Sequence, residues 1–348
     1  MTEAEFLVAL RRLPLHPGAL DLRDDAARLG DLVLTTDTLV EGVHYLSGDP
    51  AGDVAWKLVA TNVSDLAAKG AVPVGVMLNY PLRAIPASSF SASPAKAGAQ
   101  SRDVHGEGQP DVTSATSTGP RPSPGKRLEG EDGESWDALF LEGFGHALTT
   151  FSVPLLGGDT VSLPAHAPRV ITLTAIGSTT TAPIRTGARA GDALYVTGTI
   201  GDAGAGLTIA QGEAGPAELL AAYRRPQPRL AEGRVLAGVV SAMMDVSDGL
   251  LIDAQRMAAA SGLSVTLDLA DIPLSGAYRA FAGDDRAARL VAATAGDDYQ
   301  LLFAAAPDVV LPCAATRVGW FASGTGLTLV DAGEAVPLPG NLGFQHNA

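Results

Sequence analysis

The sequence predicts a mixed α/β or α+β protein built in two domains. Three observations predict it. The chain has 348 residues, enough for two apolar cores. Strand-like and helix-like apolar periods alternate through both halves. A polar Ser-Thr-Thr-Thr-Ala-Pro stretch near position 180 separates them, giving domains over 1–180 and 181–348.

The elements follow in order. Leu32 to Thr36 reads as a strand ending at Asp37. Asp53 to Lys69 reads as a helix, with Asp53 as N-cap and Gly70 as its stop. On this helix Val59, Val63 and Leu66 share one stripe, while Thr61 and Asp65, four apart, share another. Val72 to Leu78 reads as a buried strand. From about 88 to 133 the chain is rich in Ser, Pro, Gly, Ala and Gln, with Phe90 as its only aromatic residue. That composition predicts a disordered surface insertion, because it offers too little apolar surface to offset chain entropy. Trp136 to Thr150 reads as a helix, Val153 to Leu156 as a short strand leading to Gly157-Gly158-Asp159, and Val170 to Ile176 as an alternating strand.

In the second half Ala193 to Val196 reads as a strand. The Gly-rich run 198–206 follows, with a helix from about Asp202. That run suits either a phosphate cradle or a plain helix-entry turn. Val235 to Met244 leads into Asp245. Leu251 to Ala260 reads as a helix, Ser264 to Leu269 as a strand, and Leu301 to Phe303 as a strand after Gly296-Asp297-Asp298-Tyr299.

Composition narrows the function. Hydrophobic residues make up 46% of the chain, charged residues 18%, and the net charge is −14. An acidic chain of this kind argues against non-specific binding to nucleic acid or anionic membrane. It can still hold a polyanion through divalent cations. Cys313 is the sole cysteine, so neither a disulfide framework nor a zinc cluster forms within one chain. The Met-Thr-Glu-Ala-Glu-Phe start lacks a basic region and an apolar signal core. No apolar run reaches membrane-spanning length. A cytoplasmic location is the expectation.

The chemistry lies in six short acidic contexts: Asp24-Asp25, Thr35-Thr36-Asp37-Thr38, Asn62-Val63-Ser64-Asp65, Gly157-Gly158-Asp159-Thr160, Asp245-Val246-Ser247-Asp248-Gly249 and Gly296-Asp297-Asp298-Tyr299. Any one of them is an ordinary turn or cap. Together they suit hard cations. Two carboxylates brought to about 4 Å repel by roughly 1–4 kcal/mol, depending on effective dielectric, so a converged set needs counter-charge. All-oxygen donors favour Mg²⁺, Mn²⁺ or Ca²⁺ over zinc. His44 is the one histidine near a motif, and Arg185 offers a phosphate-binding fork. The four lysines stand at 57, 69, 96 and 126, none at P-loop spacing, and no Ser–His–Asp set or nucleophile elbow is present. A missing general base is no obstacle if the acceptor is a phosphate oxygen, already anionic near neutral pH.

In order and content these motifs resemble the thiamine-monophosphate kinase family, part of the superfamily of aminoimidazole ribonucleotide synthetase and selenophosphate synthetase. The resemblance rests on Asp-Asp-Ala-Ala at 24–27, Thr-Thr-Asp-Thr-Leu-Val at 35–40 with His44, and Asn-Val-Ser-Asp-Leu-Ala-Ala-Lys-Gly-Ala at 62–71. It continues through Leu-Gly-Gly-Asp-Thr, Thr-Gly-Thr-Ile-Gly-Asp, Arg-Arg-Pro-Gln-Pro-Arg at 224–229, Asp-Val-Ser-Asp-Gly-Leu, Gly-Asp-Asp-Tyr-Gln-Leu and the final Gly-Phe-Gln-His. It implies the two-domain synthetase-like fold, with an N-terminal mixed sheet forming a homodimer and a C-terminal α/β domain. It implies ATP-dependent phosphorylation of thiamine monophosphate with several Mg²⁺ ions. By the same resemblance Asp25, Thr35, Thr36, Asp37, Asp65, Asp159, Asp245 and Asp248 are metal ligands, and Gly158, Asp159, Arg185 and Ser247 bind nucleotide. His44, Asp297 and Phe344 contact substrate.

Two positions depart from the family pattern. Arg23 stands where a glycine precedes the first acidic pair, which predicts a shifted loop. Asp297 stands where a longer Glu is usual, which predicts a lost or water-bridged contact. Two other readings fit the same residues: another ATP-using member of the superfamily, or a catalytically silent protein that binds nucleotide or thiamine phosphate.

Overall fold

The computed structural model describes residues 3–83 and 135–345. The expected insertion at 88–133 lies outside the described residues. The elements are α1 (Glu3–Leu10), β1 (Ala27–Leu29), β2 (Leu32–Val40), α2 (Ala51–Ala68), β3 (Val72–Arg83), α3 (Trp136–Thr150), β4 (Leu155–Leu163), β5 (Val170–Ser178), β6 (Ala193–Val196), α4 (Asp202–Ala210), α5 (Ala217–Arg224) and α6 (Leu230–Leu236). There follow β7 (Ala242–Asp245), α7 (Leu250–Ser261), β8 (Leu263–Asp268), α8 (Gly276–Ala282), α9 (Arg286–Thr294), β9 (Leu301–Ala305), β10 (Thr316–Ser323), β11 (Gly326–Asp331) and β12 (Glu334–Val336).

The strands form two mixed sheets, in the order β1-β2-β5-β3-β4 and β12-β11-β8-β10-β6-β9-β7. In the first, only β3 and β4 run parallel; the other neighbours are antiparallel. Alternation sorts its side chains. Ile171, Leu173 and Ala175 of β5 turn inward and are fully buried beneath α2. α3 then packs over α2, the two backbones touching where Gly52 meets Gly143; a Cβ on Gly143 would lie 2.3 Å from the Gly52 Cα.

The opposite face of this sheet is open. Val72, Val74 and Met77 on β3 and Leu155, Leu156 and Val161 on β4 are between 41% and 54% exposed. Val72 to Leu78 is therefore half-buried, contrary to the continuous burial expected from its apolar run. Two further corrections concern ends. β2 continues to Val40 and β4 begins at Leu155 and runs to Leu163, so Asp37 and Asp159 sit inside strands. Pro50 holds the N-cap position of α2; Asp53 lies in its first turn and pairs with Arg225 of the second half.

α2 is buried on almost every side because it serves both halves. Its last turn, Ala67 and Ala68, joins Leu236, Met243, Leu301 and Phe303 in a third apolar cluster between the sheets. Trp56 donates its Nε1–H to the Pro226 carbonyl at 2.9 Å and meets the Phe151 ring edge-on at 4.9 Å. Ser64 donates to Asp245 across the same seam at 2.6 Å.

Candidate active site

The site is assembled on α2. Thr35 and Asp37 are two apart on β2 and face inward, where α2 presents Asn62 and Asp65. The Thr35 hydroxyl donates to the Asp65 carboxylate, and the Asp37 N–H donates to Asn62 Oδ1 at 3.2 Å. From the second half, Asp245 ends β7 and its carboxylate accepts from Ser64. The next turn carries Ser247 and Asp248. It is shaped by Gly249, whose φ of +128° disfavours any side chain, and by Asp253. The buried Asp253 Oδ2 accepts the backbone N–H groups of Ser247, Asp248 and Gly249 at 3.1–3.2 Å. Arg256 bridges Asp253 and Asp248.

Burial and mutual repulsion perturb these acids. Asp37 is pushed up to about 6, first by burial and then by the charge of Asp248. Asp245 is pushed up to about 7, chiefly by burial, with the Ser64 hydrogen bond working the other way. Asp65 is driven well above the carboxylate range by burial and by Asp37 and Asp245. Such shifts mark carboxylates short of counter-charge. Among the described residues, no three His, Cys, Asp or Glu side chains are drawn tightly around one point.

Asp24 and Asp25 adjoin this cluster but are already paired. Lys69 reaches both, and Arg185 Nη2 takes Asp25. Burial lowers the Arg185 pKa, and its Nε is buried with no hydrogen-bond partner among the described residues. A cavity of about 400 Å³ opens beside it, lined in part by Leu20, Arg23, Asp24, Ile184 and Thr186. Arg23 itself has φ −112° and ψ 3°, which needs no glycine, but Leu20, Asp21 and Leu22 just before it all take left-handed φ of 51–55°.

The substrate positions named from sequence also meet. The His44 and Phe344 rings are 6.3 Å apart. Lys57 on α2 donates to the His44 carbonyl at 3.1 Å and to Asp297 Oδ2 at 2.7 Å. The Tyr299 hydroxyl donates to Asp297 Oδ1 at 2.9 Å. Phe344 is tied by its N–H to the Asp248 carbonyl at 2.8 Å, which sets the aromatic pair beside the acidic turn.

Thr36, Gly158, Asp159 and the Gly-rich run stand apart. Thr36 turns to the outer sheet face, where its hydroxyl donates to the Leu173 carbonyl and receives the Thr174 hydroxyl. Gly158 and Asp159 lie on the edge strand β4, with β3 and β5 between them and Asp37, about 14 Å at ordinary strand spacing. The Gly-rich run 198–206 is a helix-entry turn: Asp298, itself buried, accepts from Gly201 N at 2.7 Å and Ala203 N at 3.3 Å, filling the N-terminus of α4.

Sequence reading missed Lys57 and Lys69. The signal was present: Lys57, Thr61, Asp65 and Lys69 recur every four residues and form one stripe of α2.

Comparison with known proteins places the chain in a family. The family described as "AIR synthase related protein, N-terminal domain" matches residues 23–100 and 121–179, and its C-terminal counterpart matches 189–336. The thiamine-monophosphate kinase of Caulobacter vibrioides is 34% identical, over 99% of this chain and 91% of its own. A structure described as "AaThiL complexed with AMPPCP and TMP" superposes with a TM-score of 0.75 at 25% identity, covering 99% of this chain and 97% of the other. The thiamine-monophosphate kinase structure from Stenotrophomonas maltophilia K279a gives 0.66 at 31% identity, covering 97% and 99%. The chain belongs to the thiamine-monophosphate kinase family, within the AIR synthase related fold.

Proposed function

We propose that this chain transfers the γ-phosphoryl group of ATP directly, in line, to the phosphate of thiamine monophosphate, giving thiamine diphosphate. One observation carries the reading: a buried, under-compensated carboxylate cluster stands next to the His44–Asp297–Phe344 set, both fixed by α2. Asp37, Asp65, Asp245 and Asp248, with the Thr35 hydroxyl, supply all-oxygen donors of the chemistry that Mg²⁺ takes. Magnesium held there supplies the positive charge that phosphoryl transfer requires. The chain's own groups do the rest. Arg185 is the guanidinium for a nucleotide phosphate, and the cavity beside its neighbours Ile184 and Thr186 has the volume of a small-molecule site. Ser247 stands in the same acidic turn, ready for the nucleotide. His44 and Phe344 offer ring faces to the thiamine rings. Asp297, held from both sides by Lys57 and Tyr299, is the carboxylate for the cationic substrate.

The exposed apolar face of β3 and β4 supports a homodimer formed through the first sheet. Gly158 and Asp159 on β4 then belong to the dimer seam and serve nucleotide there. The test of the function is direct: purified protein with ATP, Mg²⁺ and thiamine monophosphate yields thiamine diphosphate by chromatography. Absence of that product with every divalent metal tried rejects the reading.

The perturbed acids give a pH signature. Asp37 and Asp245 titrate at about 6 and 7 when folded, against 3.8 for the ordinary carboxyl. Between those values the folded state binds protons that the unfolded chain releases, so stability falls as pH rises. Without divalent cations, the melting temperature is expected to drop from about pH 5 to about pH 7.5. Mg²⁺ is expected to shrink that drop. A chelated protein that melts higher at the upper pH contradicts this.

A further inference from the structure

One pair of the acidic set is neutralised from within. Lys69, just past the end of α2, is 1% exposed. A buried ammonium needs every donor used and its charge answered. Its Nζ lies 2.5 Å from Asp24 Oδ1, 3.3 Å from Asp25 Oδ2 and 3.4 Å from the Met243 carbonyl oxygen. Three donor hydrogens thus meet three oxygens, drawn from a loop, its neighbour and a strand of the other half. Arg185 completes the set, its Nη2 on Asp25 and its backbone N–H 3.4 Å from Asp24 Oδ1. Two carboxylates therefore face two fixed cations. The Lys69 charge extends further, favouring the ionised forms of Asp65 and Asp245.

We propose that Lys69 is a resident cation: it holds the inner side of Asp24 and Asp25 as a divalent ion would, so this chain loads its metals at Asp37, Asp65, Asp245 and Asp248 and none at Asp25. The proposal rests on the magnesium reading of the cluster, and departs from the ligand role that family resemblance implies for Asp25. Lys69 and Arg185 together engage both oxygens of Asp25 and Oδ1 of Asp24, so a hard cation brought to these oxygens meets two fixed positive charges at close range. The device also joins both halves of the chain at one charge before any ligand arrives.

The test counts bound Mn²⁺ on the full chain by the loss of its free electron paramagnetic resonance signal, without nucleotide. K69M keeps the length and apolar stem but removes the charge. It is expected to bind one more Mn²⁺ per chain than the unaltered protein. K69R keeps the charge and is expected to leave the count unchanged. D25N, made with Lys69 in place, is expected to lose no Mn²⁺. An unchanged count in K69M, or a lost Mn²⁺ in D25N, overturns the proposal and leaves the metal reading standing. Should circular dichroism find K69M unfolded, the D25N count alone decides. Absence of Mn²⁺ binding in the unaltered chain overturns both.

Discussion

Replacing Asp37 with Asn is expected to lower kcat by about 10²–10³-fold, the range set by removing one preorganised charge-stabilising group. The two side chains share a shape, so the change is one of charge. Asp37 is packed between β2 and α2, and its N–H is held by Asn62, which does not depend on the carboxylate. The fold therefore has no reason to move. The charge, by contrast, is costly: burial and Asp248 already push Asp37 up to about 6. Removing it relieves repulsion with Asp65 and Asp248. D37N is thus expected to melt higher than the unaltered protein when chelated, yet to need far more Mg²⁺ and to turn over poorly. A stability gain joined to an activity loss is the signature of a ligand held against repulsion. His44→Ala, by comparison, is expected to act mainly on KM for the thiamine substrate, since its ring stands with that of Phe344. Equal and mild losses in both variants, measured by kcat, Mg²⁺ titration and melting, count against the assignment of Asp37.

Asp253→Ala is expected to cost roughly 3–5 kcal/mol of stability, as breaking a buried charged network does. Asp253 is fully buried and receives three backbone N–H groups as well as Arg256. Removing it leaves those three donors unpaired in the turn that aims Asp245, Ser247 and Asp248. At about 2–4 °C per kcal/mol for a chain of this class, the midpoint falls by roughly 10 °C. Activity at a temperature where the variant remains folded is also expected to fall, because the turn loses its frame. D253N keeps one acceptor oxygen and is expected to be intermediate in both respects. A melting midpoint unchanged in D253A removes this account of the turn.

Much of this was legible in order but not in space. The strands at Ala193–Val196 and Leu301–Phe303, the latter running on to Ala305, and the helix at Trp136–Thr150 were readable from their local patterns. The two-sided burial of α2 was not readable, since a helix serving two sheets loses the single apolar stripe that marks one. Thr36 followed Thr35 in the motif, yet strand alternation sends the two hydroxyls to opposite faces. Asp298 and Asp297 are adjacent, but one caps α4 and the other meets Lys57. No local pattern separates them; only the packing of α4 against the turn does. Asp297 was read only for its substrate contact, expected to be lost or water-bridged; the sequence did not show that Lys57 and Tyr299 hold both its oxygens.

The ties along α2 carry one more consequence. Arg224 and Tyr223 hold Asp49 just ahead of it, Arg225 holds Asp53, and Pro226, Asp297 and Asp245 hold Trp56, Lys57 and Ser64 in turn. A jaw-like opening would have to unfasten this row all at once, so the helix acts as a spine without a hinge. Phe344 rides on the same fastened frame, its N–H held by the Asp248 carbonyl.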